Sequence, residues 1–171
     1  GKHFPDEFTQ AIRAFRVRGS SGKVNIALSE LPDFSCLPGP GPLHRGAISI
    51  SPSMEYIERA YDQAKYGQFS ERPYIDMVIP SMIDRDMAPP GQHVMSCFVQ
   101  YAPYDIDGGW DDAKREAFGE TVISTIEQYA PNIRRAIVAK QVSTPKDSDP
   151  IAGITGGNIF YDEMLLHQLF F

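Results

Sequence analysis

Lys23-Val24-Asn25-Ile26-Ala27-Leu28-Ser29 puts Val24, Ile26 and Leu28 on one side of an extended chain and polar or small residues on the other. That period of two is the pattern of a strand with one face buried and one left open. Working outward, residues 47–50 read as a second strand and residues 74–79, with Ile75, Met77 and Ile79 on one side, as a third that Pro80 ends. Residues 93–101 form an apolar-rich fourth strand, and residues 133–142 a fifth before the Thr144-Pro145 corner.

Helices fall between these strands. Phe8, Ala11, Ile12 and Phe15 recur at helical spacing behind Pro5-Asp6-Glu7, which suit a first turn. Ser51-Pro52 reads as an N-cap and first-turn proline, followed by Met54, Ile57, Tyr61 and Ala64 as a buried stripe that ends near Gly67. The clearest helix carries Ala113, Ala117, Phe118, Val122, Ile126 and Tyr129, with Asp111 and Asp112 at its positive end and Pro131 as its stop. Pro38-Gly39-Pro40-Gly41-Pro42 marks residues 32–46 as a long, semi-rigid loop. The expected fold is α+β: a mostly antiparallel five-stranded sheet with helices on one face.

Composition narrows the function. The chain's 171 residues, 42% of them apolar, suffice for one compact domain. A formal charge of -6 without a Lys/Arg cluster opposes nucleic-acid binding. No stretch approaches the roughly 20 apolar residues of a membrane span, and no export signal is visible. Cys36 and Cys97 have neither metal nor disulfide spacing, so a reducing cytoplasm is expected, allowing that a targeting segment could have been lost with the N-terminus.

Motifs of catalysis are scarce. Gly19-Ser20-Ser21-Gly22-Lys23 only superficially resembles a phosphate loop: its glycines are too close, and Val24 replaces the metal-binding hydroxyl. His3, His44, His93 and His167 are scattered without a metal-binding pair, so no metal site is expected, and no GxSxG elbow occurs. Asp84, Asp86, Asp105, Asp107, Asp111 and Asp112 lack calcium-loop spacing and read as turn and cap residues. Trp110 and Phe118 read as core.

The segment Gly153-Ile154-Thr155-Gly156-Gly157-Asn158-Ile159-Phe160 stands apart. Paired glycines permit positive φ and close backbone approach, which suits either an ordinary turn before a core helix or a loop against a flat ligand or neighbouring domain. The chain then stops on Leu169-Phe170-Phe171 without a helix C-cap, and is expected to be a piece of a larger protein.

Several short segments, in order, resemble a known family: Leu31-Pro32-Asp33-Phe34, Ser51-Pro52-Ser53-Met54-Glu55-Tyr56, Arg72-Pro73-Tyr74-Ile75, Ala88-Pro89-Pro90-Gly91, Tyr101-Ala102-Pro103-Tyr104 and Gly156-Gly157-Asn158-Ile159-Phe160. Together they resemble the C-terminal half of phytoene desaturase-like FAD-dependent oxidoreductases. The resemblance implies a substrate-side domain over residues 1–143 and a return segment over 144–171, leading back toward an N-terminal FAD-binding domain that is absent here and would be its partner. It implies FAD as cofactor of the whole protein, not tightly bound by this chain alone, with Gly156, Gly157, Asn158, Ile159 and Phe160 near the flavin. Catalytic residues are not indicated. In that family His-Gly-Glu usually follows, whereas here Tyr161-Asp162-Glu163 stands. Asp162 cannot take every conformation open to glycine, and its carboxylate would be repelled by an anionic reduced flavin. The open sheet face is expected to wall a pocket for an apolar small-molecule substrate, with Phe98, Met77 and Met95 as wall or core. The competing expectation is a non-catalytic interaction module derived from a flavoprotein. Self-association through an apolar patch at the chain's end is also expected.

Overall fold

A computed structural model describes residues 3–161 and 163–169, with the side chain of His167 excepted. The elements run α1 (Asp6–Ala14), β1 (Ser21–Leu28), β2 (Ile48–Ile50), α2 (Met54–Lys65), β3 (Tyr74–Val78), β4 (His93–Gln100), α3 (Asp112–Glu127), α4 (Ile133–Ala136), β5 (Ile137–Ser143), α5 (Pro145–Ala152) and α6 (Leu166–Leu169), with short 3₁₀ turns between them. The strands form one antiparallel sheet in the order β2-β3-β4-β1-β5. The α+β class and the five-stranded antiparallel sheet agree with the sequence reading.

The alternation in β1 decides which face is covered. Val24, Ile26 and Leu28 are buried, and their neighbours across β4, Cys97, Met95 and the strand start at His93, continue the same layer with Val99. Ile75 and Met77 of β3 extend it, so Met77 and Met95 are core. Onto this face α3 lays Phe118, Val122, Ile123 and Ile126, all buried. Gly22 leaves room for the Phe118 ring, since a Cβ there would lie 2.6 Å from it. Phe69, Trp110 and Phe118 pack edge and face with centroids 5.6 to 6.0 Å apart, and Trp110 Nε1 donates to Pro103 O.

Several expectations change in the fold. Residues 133–142 divide into α4 and β5, because Ile133 and Ala136 are both drawn into the core, which a helical turn permits and an alternating strand does not. The cap of α2 is Ser53, whose hydroxyl accepts from Tyr56 N, so the helix starts beyond Ser51-Pro52. Its buried side centres on Ala60, while Met54 is 84% and Tyr61 44% exposed. The first turns of α3 overhang the sheet, leaving Ala113 and Ala117 exposed. The proline loop holds a 3₁₀ turn at Pro42–Arg45 around a buried His44, whose Nδ1 accepts from Gly41 N and whose Nε2 therefore donates to Pro32 O. α1 buries nothing. Asp84 and Asp111 act as caps, accepting from Asp86 N and Lys114 N. No helix among the described residues is long and apolar enough to cross a membrane.

Candidate functional site

The glycine segment reaches its place through α5. Thr144 donates from both N and Oγ1 to Asp147 Oδ2, closing a capping box, and Arg115 of α3 grips the same carboxylate through Nη1 and Nη2. Burial alone would push the Asp147 carboxyl up, but the Arg115 hydrogen bond and the Thr144 donors hold it below the usual range. α5 ends at Gly153 in the left-handed region (φ 67°), and a 3₁₀ turn over Thr155–Gly157 follows with both Gly156 and Gly157 at φ 62°.

That turn closes onto the strand-entry segment 16–19. Gly19 N donates to Gly156 O at 2.7 Å. A Cβ on Gly156 would stand 1.9 Å from Val17 O, one on Gly157 2.2 Å from Pro145 O, and one on Gly19 2.4 Å from Gly157 O. Each clash is with backbone, which cannot swing aside as a side chain can, so the close approach requires glycine at all three positions. Asn158 Oδ1 accepts from Phe160 N at 2.8 Å, and its Nδ2 reaches Arg18 O at 3.4 Å. Beyond the turn, Glu163 forms a two-pronged pair with Arg18 (Nε and Nη2, each 2.8 Å) and accepts from Arg18 N. Arg18 thereby holds the Glu163 carboxyl below its ordinary range. The Gln168 amide pairs with both Arg16 N and Arg16 O. Gly156, Asn158, Glu163 and Gln168 thus clasp residues 16–19.

Of the residues expected near a flavin, Gly156, Gly157 and Asn158 face this clasp, with Gly157 and Asn158 buried. Ile159 and Phe160 lie outside it, 42% and 72% exposed, beside Tyr161 at 70%. Tyr161 has φ 63°, a left-handed conformation uncommon in a non-glycine residue. Asp162, the other half of the departure from the family pattern, lies outside the described residues. The residues fit a flavin ring in part: an apolar edge is offered by Ile159 and Phe160, while the paired glycines are spent on the chain itself. Arg18 and Gln168 did not stand out in the sequence, whereas Gly19 did so only within a glycine-serine break and Glu163 only at the end of the Tyr161-Asp162-Glu163 departure. Nothing in a linear reading links residues 18 and 163.

Two surfaces adjoin the clasp. The open sheet face carries Phe98, flanked across the ladder by Lys23 and Asp76, and a polar row in which Asn25 links Ser96 and Gln141. Only Phe98 of the three expected wall residues is on this face. A cleft of about 610 Å³ opens beside Gly19 and Glu163, walled by Tyr61, Tyr66 and Tyr104. Tyr104 OH donates to Asp149, and Lys146 Nζ sits 3.6 Å from the Tyr104 ring centroid. Cys97 is buried, and burial pushes its thiol up to about 12, which makes it inert; Cys36 is exposed.

The chain is 37% identical over 175 residues to pyridine nucleotide-disulfide oxidoreductase domain-containing protein 2 of Rattus norvegicus and to the same protein of Mus musculus. Each match covers 98% of this chain and the C-terminal 30% of the relative. A shorter similarity, 33% over 82 residues, links 44% of the chain to 13% of prolycopene isomerase, chloroplastic, of Daucus carota. No family model matches the chain. The chain therefore spans 30% of the length of the first curated relatives it matches.

Proposed function

Because this chain corresponds to the C-terminal region of pyridine nucleotide-disulfide oxidoreductase domain-containing protein 2, we propose that it is the substrate-side part of a flavin-dependent oxidoreductase of dehydrogenase or desaturase type. FAD, bound mainly by a preceding domain, would supply hydride acceptance from a substrate carbon. Residues 1–143 form the substrate-side unit and residues 144–171 return toward the flavin-binding one. Within this chain, the clasp fixes the backbone so that Ile159 and Phe160 lie as an apolar edge against the flat ring. Phe98 on the open sheet face and the tyrosine-walled cleft then offer contact to an apolar small molecule. A reducing, cytoplasmic setting accords with this reading.

The observation that carries it is the exposed Ile159-Phe160 edge, held outward by a turn whose glycines are required by the chain's own packing. Gly157→Val cannot test it, because the added side chain meets Pro145 O whether or not a flavin is present. Phe160→Ala in the complete gene product can. Flavin content per protein, or the rate of flavin reduction by substrate, is expected to fall several-fold with the thermal melt unchanged. Unchanged content and unchanged rate would overturn the assignment.

A second reading is favoured by the same glycines. Their close contacts are accounted for by Val17 and Pro145 of the chain itself, as they would be in an interaction module that had lost its cofactor. The upstream sequence separates the two. An intact GxGxxG after a strand, with an acidic residue roughly 20 positions on, supports the enzyme, and a degenerate one the module.

A further inference from the structure

At the pole of the sheet away from the clasp, where β1 and β3 end and β4 begins, a cleft of about 720 Å³ is built by the 3₁₀ turns at Pro42–Arg45, Pro80–Met82 and Arg85–Met87 and by the Pro89-Pro90-Gly91 turn. We propose that this cleft binds an amphiphilic anion, a carboxylate or phosphate head on an apolar stem, with Arg45 and Arg85 as the head-group ligands.

The first reason is charge. In a chain with a formal charge of -6, five of the ten arginines, Arg18, Arg59, Arg115, Arg134 and Arg135, each grip a carboxylate. Arg45 and Arg85 line this one cleft, and neither has a carboxylate within 4.0 Å among the described residues. The lining contains one acid, Asp86, which forms no ion pair there either, so its cations outnumber its anions. Planar guanidiniums without partners suit the paired oxygens of carboxylate and phosphate.

The second reason is shape and lining. Leu31, Met82, Ala88, Pro89 and Pro90 give the lining an apolar part beside the polar Ser81, Gln92 and His93, and the prolines keep it rigid, so a hydrocarbon stem has a preformed surface at little ordering cost. His93 borders the cleft, and burial, with the neighbouring His44, pushes its pKa below the usual imidazole value. Ser81 Oγ, which accepts from Val94 N, has its own proton for His93 Nδ1 at 3.4 Å, leaving His93 Nε2–H as the ring's donor. A neutral donor is compatible with an anion and adds no charge that would demand a carboxylate of the protein.

The test is titration calorimetry of this chain with octyl phosphate, octanoate, inorganic phosphate and octanol at low ionic strength. Saturable binding of octyl phosphate or octanoate is expected, at least about tenfold tighter than inorganic phosphate or octanol, and whichever head binds tighter identifies the source chemistry. Arg45→Gln with Arg85→Gln should weaken it about tenfold or more, as loss of charged hydrogen bonds does. Both side chains are exposed and make no ion pair, so the variant's thermal melt should match the parent's. Equal affinity for inorganic phosphate would overturn the amphiphile, and absent binding, or binding that survives the double substitution, would overturn the site.

Discussion

Glu163 and Gly19 show how single residues hold the two chain segments of the clasp together. The Glu163 side chain is 16% exposed and Arg18's 63%, so their two-pronged pair is partly screened and should contribute about 1 kcal/mol. The folded carboxyl titrates below its ordinary value because Arg18 bonds its charged form. The stabilisation is therefore complete above the unfolded value, roughly pH 4.3, and is lost as pH falls through the lower folded value. Urea melts of Glu163→Gln against the parent should differ at pH 7 and converge in acid; a constant difference would show that the charge is not the cause. Gly19 makes a separate prediction. Gly19→Val drives a Cβ to 2.4 Å from Gly157 O, and about 1–3 kcal/mol of destabilisation is expected, with faster proteolysis of the tail. Gly41→Ala, with nothing within 4 Å and no positive φ, is the neutral control in the same melts.

Among the elements, α3 and α1 are opposites. α3 is tied down at every level: Asp111 caps it, its buried stripe covers the sheet, and Arg134 bridges Glu120 and Glu127 on its outer side. Phe118→Ala removes a fully buried ring from the aromatic cluster and should cost about 3–5 kcal/mol in denaturant unfolding. α1 has good helical periodicity but no buried residue, with Phe8 49% and Ile12 52% exposed. Deleting residues 3–14 should change stability by less than about 0.5 kcal/mol, measured in the same way. A larger loss would mean that α1 packs on the domain in solution.

Across the whole molecule, exposed apolar side chains gather at the clasp end: Phe160, Tyr161, Met164, Leu166 and Leu169 on the return segment, between 46% and 87% exposed. Glu163 and Gln168 bind the segment that carries them to Arg18 and Arg16. Apolar side chains exposed in such number on one segment seek cover, and in the proposed parent the flavin-binding domain would provide it. In isolation, light scattering should show mass rising with concentration, and Phe160→Ser with Leu166→Ser should restore the monomer. A mass that stays monomeric at high concentration for the parent chain would count against that surface.

Much of the sheet was legible locally. The period of two in β1, β3 and β4, the capped periodic run of α3 and the proline stops are short-range facts, enforced by backbone geometry and by the need to bury one face. Even the class, antiparallel strands with one covered side, follows from them. The C-terminal family resemblance was carried by short motifs in order. Tertiary structure alone decided what those motifs contact. It turned residues 133–136 into a helical turn, because two core residues three apart had to point the same way. It left the amphipathic α1 without a buried residue and aimed Gly156 and Gly157 at Val17 and Pro145. It also brought Arg18 to Glu163 and Arg45 to the cleft of Arg85. Those outcomes depend on contacts between residues far apart in the chain, whose pairing is selected only by how the packed layers close, and no local periodicity encodes that.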